Sequence, residues 1–213
     1  MKVLVIGAGN MGSAFVQRLR AAGHEVSVTA KSGEKAAGLA RQFPGVRAVS
    51  PDNAAADQDL VVLATGFGDA IKALQSVGSV DGKTVIDITN PLTADYMGLT
   101  IGHDTSAAEE IAGAVPGANI VKAFNTVFAQ VLAASADFGN GQTVTVFAAS
   151  DSATAKQSVI ELAKGLGFQT IDAGGLKNAR YLEPLAGLNI YLGYGAGMGT
   201  KVDPSVKTLS RLV

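Results

Sequence analysis

The sequence predicts an α/β fold, a doubly wound and mostly parallel sheet that ends in a short helical appendage. Two observations carry this prediction. Short apolar runs recur along the chain, and those at 59–64 and 83–88 are almost purely apolar, as strands covered on both faces are. Between such runs lie stretches with apolar residues at helical spacing. Strands and helices therefore alternate, which is the order typical of a parallel sheet with crossover helices.

The individual elements follow from these patterns. Strands are predicted at 2–6, 25–30, 46–49, 59–64, 83–88, 119–123, 143–149 and 168–171. Helices are predicted at 11–22, 33–43, 69–77, from 106 onwards, at 151–166 and at 176–194. Ser106 and Glu109 have the spacing of a capping box, and Asp151 is predicted to cap the helix that it begins. The segment 89–105 shows no period, and a loop of that length in a compact domain is usually functional.

The composition narrows the class of protein. The chain has 213 residues, of which 47% are hydrophobic and 16% charged, a formal net charge of −1 and no cysteine. We divide it into a domain over 1–172 and a helical extension of the same domain over 173–213. The small net charge gives no reason to expect nucleic acid as a partner, and the absence of cysteine excludes disulfides and thiolate metal sites. No apolar stretch approaches the roughly 18 residues of a membrane span, so we expect no membrane partner and a cytoplasmic location. The sequence has no H-E-x-x-H motif, no cysteine and no paired histidine spacing, so we expect no metal.

The first strand runs directly into a glycine-rich turn. Its sequence is Gly7-Ala8-Gly9-Asn10-Met11-Gly12, and a helix and a second strand follow. In this context the G-x-G-x-x-G pattern is the fingerprint of a Rossmann-type dinucleotide-binding fold. Gly7 permits the tight turn, Gly9 lets the backbone approach a pyrophosphate, and Gly12 lets the helix pack closely on the strand. We therefore predict that residues 7–12 bind a dinucleotide at the helix N-terminus.

The residues after the second strand indicate which dinucleotide binds. An acidic residue there would bind the ribose hydroxyls of NAD and repel a 2′-phosphate. This chain has Lys31 and Ser32, a cation and a hydroxyl, and the nearest acid, Glu34, lies in the next helix. Ser32 can also cap that helix, whose N-terminus faces the same anion. We predict NADP(H) rather than NAD(H), with two solvated turn residues as the alternative interpretation.

Further candidates follow the next strands, because ligands of open α/β sheets lie beyond the carboxyl ends of the strands. They are Thr65, Gly66, Phe67, Asn90, Pro91, Ala123 and Asn125. Thr65 and Phe67 are predicted to contact the nicotinamide ribose and ring, and Asn90 to do the same from the next strand. The alternatives are a plain strand-to-helix turn at Thr65 and Gly66, and capping of a following helix by Asn125 and Thr126.

Few side chains suit acid–base chemistry. His24 lies far from the strand ends and is predicted to be structural, whereas His103 lies in the long loop, either on the surface or within reach of the site. Arg180 either pairs with Glu183 or holds an anionic group of an acceptor. Lys122 is either exposed or faces the site. We assign no catalytic residue, since hydride transfer between two cofactors leaves the chemistry to the cofactors.

Taken together, the motifs resemble those of a known family. The resemblance rests on Gly7 to Gly12, Lys31-Ser32, Thr89-Asn90-Pro91-Leu92, 105–110, Val121-Lys122-Ala123-Phe124-Asn125-Thr126, 172–180 and 197–199. In their order and spacing they resemble the reductases that pass hydride between NADPH and the deazaflavin coenzyme F420, related bacterial NADP-binding oxidoreductases, and the cytosolic nucleotide-binding domain of transmembrane metalloreductases. The resemblance implies the fold, binding of NADP(H), a small-molecule electron acceptor, and a flavin or deazaflavin as a second cofactor.

Two departures from the family pattern concern the acceptor. The archaeal deazaflavin reductases typically carry histidine where this chain has Asn125, and a small apolar or proline-rich run where it has Asn90-Pro91. The resemblance also implies a homodimer. The predicted last helix is strongly apolar and includes Leu188, which fits a helix pair between subunits, with packing against the sheet as the alternative.

Three functions stay open on the sequence alone. The first is an NADPH-dependent reductase of a flavin, a deazaflavin or another small electron carrier. The second is an imine or keto-acid reductase, although those families usually add a substantial helical domain. The third is a non-enzymatic protein that senses NADP(H) or acts as a scaffold, which the small number of acid–base groups permits.

Overall fold

The computed structural model describes residues 1–134, 136–139 and 142–204. Its first half alternates strand and helix. The strands are β1 (Lys2–Ile6), β2 (Glu25–Thr29), β3 (Arg47–Ala48), β4 (Leu60–Leu63) and β5 (Thr84–Asp87). The helices are α1 (Asn10–Ala21), α2 (Gly33–Gln42) and α3 (Phe67–Gln75).

The second half begins after a long loop. Its strands are β6 (Asn119–Ala123), β7 (Asp137–Gly139), β8 (Gln142–Thr143), β9 (Thr145–Ala149) and β10 (Gln169–Asp172). Its helices are α4 (Ala107–Ala114), α5 (Ala129–Ala134), α6 (Ala153–Gly165) and α7 (Ala179–Ile190). A 3-10 turn (Leu176–Asn178) precedes α7, and a π-helical turn (Tyr191–Gly195) extends it.

Within the described residues, eight strands form one sheet in the order β10-β9-β6-β5-β4-β1-β2-β3. All neighbours from β3 to β6 are parallel, and β3-β2-β1-β4-β5-β6 is the strand order of a dinucleotide-binding Rossmann fold. β9 is antiparallel to β6, and β10 is parallel to β9. The predicted fold class, a Rossmann-type, mostly parallel α/β sheet with a short C-terminal helix, is confirmed.

Both faces of the sheet are covered, which explains the apolar runs. Along β1, Val3 belongs to a core cluster with Phe15 of α1, whereas Leu4 belongs to a second cluster with Leu74 of α3. Alternate residues of a strand point to opposite faces, so a strand between two helical layers needs apolar side chains throughout. This packing brings the carboxyl ends of β1, β4, β5 and β6 to one edge of the sheet.

Several predicted details differ from the structure. Asp151 is not a helix cap: its Oδ1 accepts the N–H of Leu176 at 2.9 Å, and Ser152 caps α6 by accepting the N–H of Ala155 at 3.3 Å. Helix α5 and the β7–β8 hairpin, both short, were not predicted. The division of the chain at residue 172 stays a prediction, and residues 205–213 of the predicted extension lie outside the described residues.

Candidate active-site cleft

A cleft lies at the edge of the sheet where β1, β4, β5 and β6 end. Its volume is about 1130 Å³, slightly above the range usual for ligand pockets. The start of α1, the turns after β4, β5 and β6, the long loop and the second half of α7 line it. The predicted site residues in this lining are Gly9, Asn10, Met11, Thr65, Gly66, Phe67, Asn90 and Asn125. Those outside it are Gly7, Ala8, Gly12, Lys31, Ser32, Pro91 and Ala123.

The glycine-rich turn is shaped by close approach between backbone segments. Gly7 has a φ of +120°, and a side chain on it would overlap the carbonyl group of Ala64 at the end of β4. A side chain on Gly12 would overlap the carbonyl group of Gly7. At Gly9, by contrast, no atom would lie within 4 Å of an added Cβ. Helix α1 begins beside this open space without a side-chain cap, which leaves its first N–H groups for an anion.

Lys31 and Ser32 lie directly after β2, the strand beside β1. Ser32 caps α2, because its Oγ accepts the N–H of Lys35 at 3.3 Å. The Lys31 side chain is exposed. A cation, a hydroxyl and a helix N-terminus therefore lie together at this strand end, and their contact with a 2′-phosphate stays a prediction.

Asn90, which follows β5, and Asn125, which follows β6, bond to each other. Asn125 Nδ2 donates to Asn90 Oδ1 at 3.0 Å, and Asn90 Nδ2 donates to the Asn125 carbonyl group at 2.9 Å. Asn125 Nδ2 also donates to the carbonyl group of Leu182 in α7 at 2.9 Å. Because both of its partners are acceptors, the amide orientation of Asn125 is determined. The side-chain oxygens of Asn125 and Thr126 have no hydrogen-bond partner, so the alternative that they cap a helix is wrong.

Phe124, which lies between β6 and Asn125, has an unusual backbone conformation. Its φ is +60°, in the left-handed region that residues other than glycine rarely adopt. The buried ring packs edge-on against Phe15 and Phe168, with ring centroids 5.1 and 5.6 Å apart. This packing holds the turn that brings Asn125 and Thr126 to the cleft. Strained backbone of this kind clusters at functional sites.

Several buried side-chain oxygens in the cleft lining have no hydrogen-bond partner. Among the described residues they are Thr65 Oγ1, Thr89 Oγ1, Asn125 Oδ1, Thr126 Oγ1 and Asn189 Oδ1. An unsatisfied buried polar group costs about 1–3 kcal/mol, and native structures rarely leave several together. The set fits a site whose polar ligand completes these hydrogen bonds. Asn189 was not predicted, and the one available signal was a single asparagine within the apolar run of the last helix.

Aromatic side chains from separate segments form another part of the cleft wall. Phe128, just before α5, and Tyr194, in the π-helical turn, contact each other edge-on with ring centroids 5.5 Å apart. Tyr96 and Met97 of the long loop line the same cleft and are 62% and 44% exposed. Aromatic and methionine side chains of this kind suit contact with a flat, apolar ring.

A buried cluster of three charged side chains lies next to the Asn90–Asn125 pair. Lys122 Nζ in β6 lies 2.7 Å from Asp87 Oδ2 in β5 and 2.9 Å from Glu183 Oε1 in α7. None of the three side chains is more than 2% exposed. Lys122 is therefore buried behind the cleft, neither exposed nor part of its lining. Asp87 and Glu183 were not predicted as its partners.

Arg180 does not pair with Glu183. Its guanidinium group instead donates to both carboxylate oxygens of Glu109 at 2.8 Å. These hydrogen bonds are the main reason why the pKa of Glu109 lies below its ordinary value. His103 is exposed and lines a separate cavity of about 440 Å³ together with Lys177 and Arg180. Both His103 and Arg180 therefore lie outside the cleft lining.

The chain is similar to proteins of one known family. The family described as NADP oxidoreductase, coenzyme F420-dependent, matches residues 2–91. The F420-dependent NADP reductase of Methanothermobacter marburgensis is 31% identical over 209 residues, which are 90% of this chain and 92% of that protein. This chain belongs to that family. It is an NADP-dependent oxidoreductase, and the predicted class of enzyme is confirmed.

The chain is also similar to one relative of which it covers only a part, and to two solved structures. Metalloreductase STEAP3 of Rattus norvegicus is 31% identical over 86% of this chain, which spans about a third of that protein (36%). A solved structure from Arthrobacter sp. FB24, proposed to be an F420-dependent NADP reductase, has a TM-score of 0.87 at 28% identity and covers 98% of this chain and 100% of that one. An imine reductase of Pseudomonas sp., with a TM-score of 0.65 at 22% identity, covers 92% of this chain and 63% of that chain and shows the shared fold. In the described residues, no helix has both the length and the apolar character to cross a membrane.

Proposed function

We propose that this protein transfers hydride between NADPH and a planar acceptor, a flavin or a deazaflavin. The observation that carries the proposal is the cleft, which joins the uncapped N-terminus of α1 to a wall of aromatic side chains. The unpartnered oxygens in its lining favour a polar ligand. The relative from Methanothermobacter marburgensis is named an F420-dependent NADP reductase, which supports a deazaflavin as the acceptor.

The residues around the glycine-rich turn and after β2 are suited to bind the phosphates of NADP(H). Gly9 leaves its backbone open, and the first turn of α1 has no acidic side chain that would repel a pyrophosphate. Lys31 and Ser32 would hold the 2′-phosphate of the adenosine ribose. Thr65 and Asn90 would orient the nicotinamide riboside beyond the ends of β4 and β5. When bound, NADPH supplies the hydride.

The lining of the cleft suits hydride transfer between two rings better than acid–base catalysis. Among the described residues that line the cleft, Asp95 is the one that carries a carboxylate. It accepts hydrogen bonds from the Thr93 hydroxyl and the Met97 N–H, and these hold the pKa of Asp95 below its ordinary value. Such a carboxylate is a poor proton donor near neutral pH. Hydride transfer needs the reacting atoms about 3–3.5 Å apart and water excluded, and aromatic side chains in the wall are suited to pack against a planar ring.

The alternative of an imine or keto-acid reductase is supported less well. The imine reductases with solved structures are 18–22% identical to this chain, and that likeness shows the fold alone. Reduction of a keto acid also leaves an oxyanion that must gain a proton. Asp95 is not suited to give one, so the proton would have to come from the phenol of Tyr96 or Tyr194.

The test mixes the purified protein with NADPH and one acceptor at a time and follows the loss of nicotinamide absorbance. The acceptors are coenzyme F420, FMN, riboflavin, a cyclic imine and pyruvate. We expect turnover with F420 or with a flavin, and faster turnover with NADPH than with NADH. Turnover restricted to the imine or to pyruvate would contradict the proposal.

We also propose that the protein is a homodimer that associates through α7. Tyr181, Leu188 and Tyr191 are spaced so that they share one face of this helix and its extension, and they are 74%, 55% and 50% exposed. Large apolar side chains grouped in this way typically mark an interaction surface.

A further inference from the structure

The cluster of Asp87, Lys122 and Glu183 has no role in the hydride transfer proposed above. Charged groups are costly to bury unless each is paired and hydrogen-bonded. Two carboxylates and one ammonium leave a net negative charge. The N-terminus of α4 compensates for it, because the N–H groups of Ala107 and Ala108 donate to the Glu183 carboxylate at 2.9 and 3.1 Å. Each charged group of the cluster is therefore paired, and the cluster connects β5, β6, α4 and α7.

On the β5 side, the bonds of the cluster end at Thr89, the residue before Asn90. Lys122 Nζ donates to the Thr89 carbonyl group at 2.7 Å. Asp87 Oδ1 accepts the Thr89 N–H at 2.8 Å. Both backbone polar groups of Thr89 are thus held by the cluster. Asn90 is therefore attached to a residue whose backbone is held at both polar groups, which restricts where its side chain can lie.

On the α7 side, the bonds of the cluster end at Glu183, the residue after Leu182. The Leu182 carbonyl group is one of the two acceptors of Asn125 Nδ2, and Asn90 Oδ1 is the other. Each acceptor belongs to a residue whose neighbour is fixed by the cluster. The orientation of the Asn125 amide therefore depends on how β5 and α7 are held relative to β6.

We propose that Asp87, Lys122 and Glu183 are positioning residues for the ring end of the cleft, by which we mean the part lined by Asn90, Asn125 and the aromatic wall. They hold the ends of β5 and β6 in a fixed position relative to α7, so that the hydrogen bonds between Asn90 and Asn125 keep one geometry. As a result, Asn125 Oδ1 remains the side-chain atom that can bond to a ligand. The proposal rests on the proposed function only in that this pair is taken to contact the nicotinamide or the acceptor ring.

A second ion pair in the same region provides a matched control. Arg180 and Glu109 also join α7 to α4, with two bonds of 2.8 Å. Their side chains are about a quarter exposed, and none of their hydrogen bonds reaches Asn90 or Asn125. A variant at Glu109 removes from the α4–α7 junction a carboxylate that has no hydrogen bond to the buried cluster. The carboxylate also accepts from the Ser106 hydroxyl, but Ser106 Oγ can still cap α4 in the variant, because it accepts the backbone N–H of residue 109.

The first experiment measures hydrogen exchange of the Asn90 and Asn125 side-chain amides by NMR, in the wild type and in Glu183→Leu and Glu109→Leu. We expect the Asn125 amide to exchange at least about tenfold faster in Glu183→Leu, because local opening sets the exchange rate, and at the wild-type rate in Glu109→Leu. Glu183→Gln, whose side-chain oxygen can still accept from α4, is expected to fall between them and replaces Glu183→Leu if that variant does not fold. An unchanged Asn125 exchange rate in a folded Glu183 variant would overturn the proposal.

The second experiment separates catalysis from binding. We expect kcat of the Glu183 variant to fall about 10- to 100-fold, as a misplaced ring does, with NADP⁺ affinity within about threefold of the wild type because its phosphates bind elsewhere. In an Asn125→Ala background the Glu183 change should have little further effect, and additive losses would contradict the proposal. Absence of wild-type turnover with every acceptor would count against the proposed function, while amide exchange would still decide the positioning role.

Discussion

At one end of the cleft, the glycine-rich turn of residues 7–12 shapes the site with its backbone, and Gly9, Asn10 and Met11 of this turn are in the lining. At the other end, the turns after β5 and β6 and the second half of α7 form the site with side chains that are far apart in sequence. The first end needs glycine because backbone segments approach closely. The second end needs a buried ion cluster to hold its asparagines. The two ends therefore respond to mutation in different ways.

The largest effects are expected in the glycine-rich turn. Gly12→Val should destabilise the fold by roughly 2–3 kcal/mol, because the new side chain overlaps the Gly7 carbonyl group and overpacking of this kind is costly. Gly9→Ala should leave the free energy of unfolding within about 0.5 kcal/mol of the wild type, yet weaken NADPH binding more than tenfold. Urea unfolding and fluorescence titration measure the two quantities. An unstable Gly9→Ala protein, or one that binds NADPH normally, would show that the turn is not built as described.

The next effect concerns the choice between NADPH and NADH. Lys31→Glu should weaken NADPH binding by at least roughly 1.5–3 kcal/mol, the range for hydrogen bonds to charged groups, because the acid also repels the 2′-phosphate, and it should not weaken NADH binding. Lys72→Glu, at an exposed position in the last turn of α3, makes the same change of net charge and serves as the control. If Lys31→Glu weakens both cofactors equally, Lys31 does not bind the 2′-phosphate.

The exposed face of α7 and its extension, with Tyr181, Leu188 and Tyr191, allows a test of the proposed homodimer. Leu188→Arg should weaken dimerisation by roughly a hundredfold, because a charge buried in an interface without a partner costs several kcal/mol. Light scattering over a range of concentrations measures this. Met198→Arg changes a similarly exposed residue outside α7, and this variant should stay dimeric. If Leu188→Arg also stays dimeric, the interface lies elsewhere, and a monomeric wild type would exclude the homodimer.

The smallest effect concerns Asp203, in the segment that follows α7. Burial raises its pKa from 3.8 to about 6, against the hydrogen bond that it accepts from the Thr145 N–H at 3.3 Å. Since the folded pKa is above the unfolded one, the folded state binds the extra proton and stability falls as the pH rises from about 4 to about 6.

Asp203→Asn should remove that penalty. We expect a gain of about 1 kcal/mol near pH 8, discounted because the side chain is partly exposed, and almost none near pH 4. Thermal unfolding at several pH values measures the difference. An advantage that does not change with pH would show that titration of Asp203 is not its cause.

The sequence predicts the glycine-rich end of the cleft well and the ring end less well. The fold class, most elements and the shape of the glycine turn were predictable, because apolar periodicity and glycine spacing are local signals. At the ring end, Asn90 and Asn125 were predicted to lie at the site, but their mutual hydrogen bonds were not. Asp87 and Glu183 were missed because each looks like an ordinary residue of its own element.

The sequence by itself determined that this chain forms a Rossmann-type sheet, that residues 7–12 leave an open helix N-terminus, and that Lys31 and Ser32 follow the second strand. These features depend on neighbours within a few residues. Only the tertiary structure decided that Lys122 is buried between Asp87 and Glu183, and that Arg180 pairs with Glu109 instead. Residues 35 to 96 positions apart meet in that cluster and no local pattern encodes such a meeting, because which charges pair is set by how strands and helices pack.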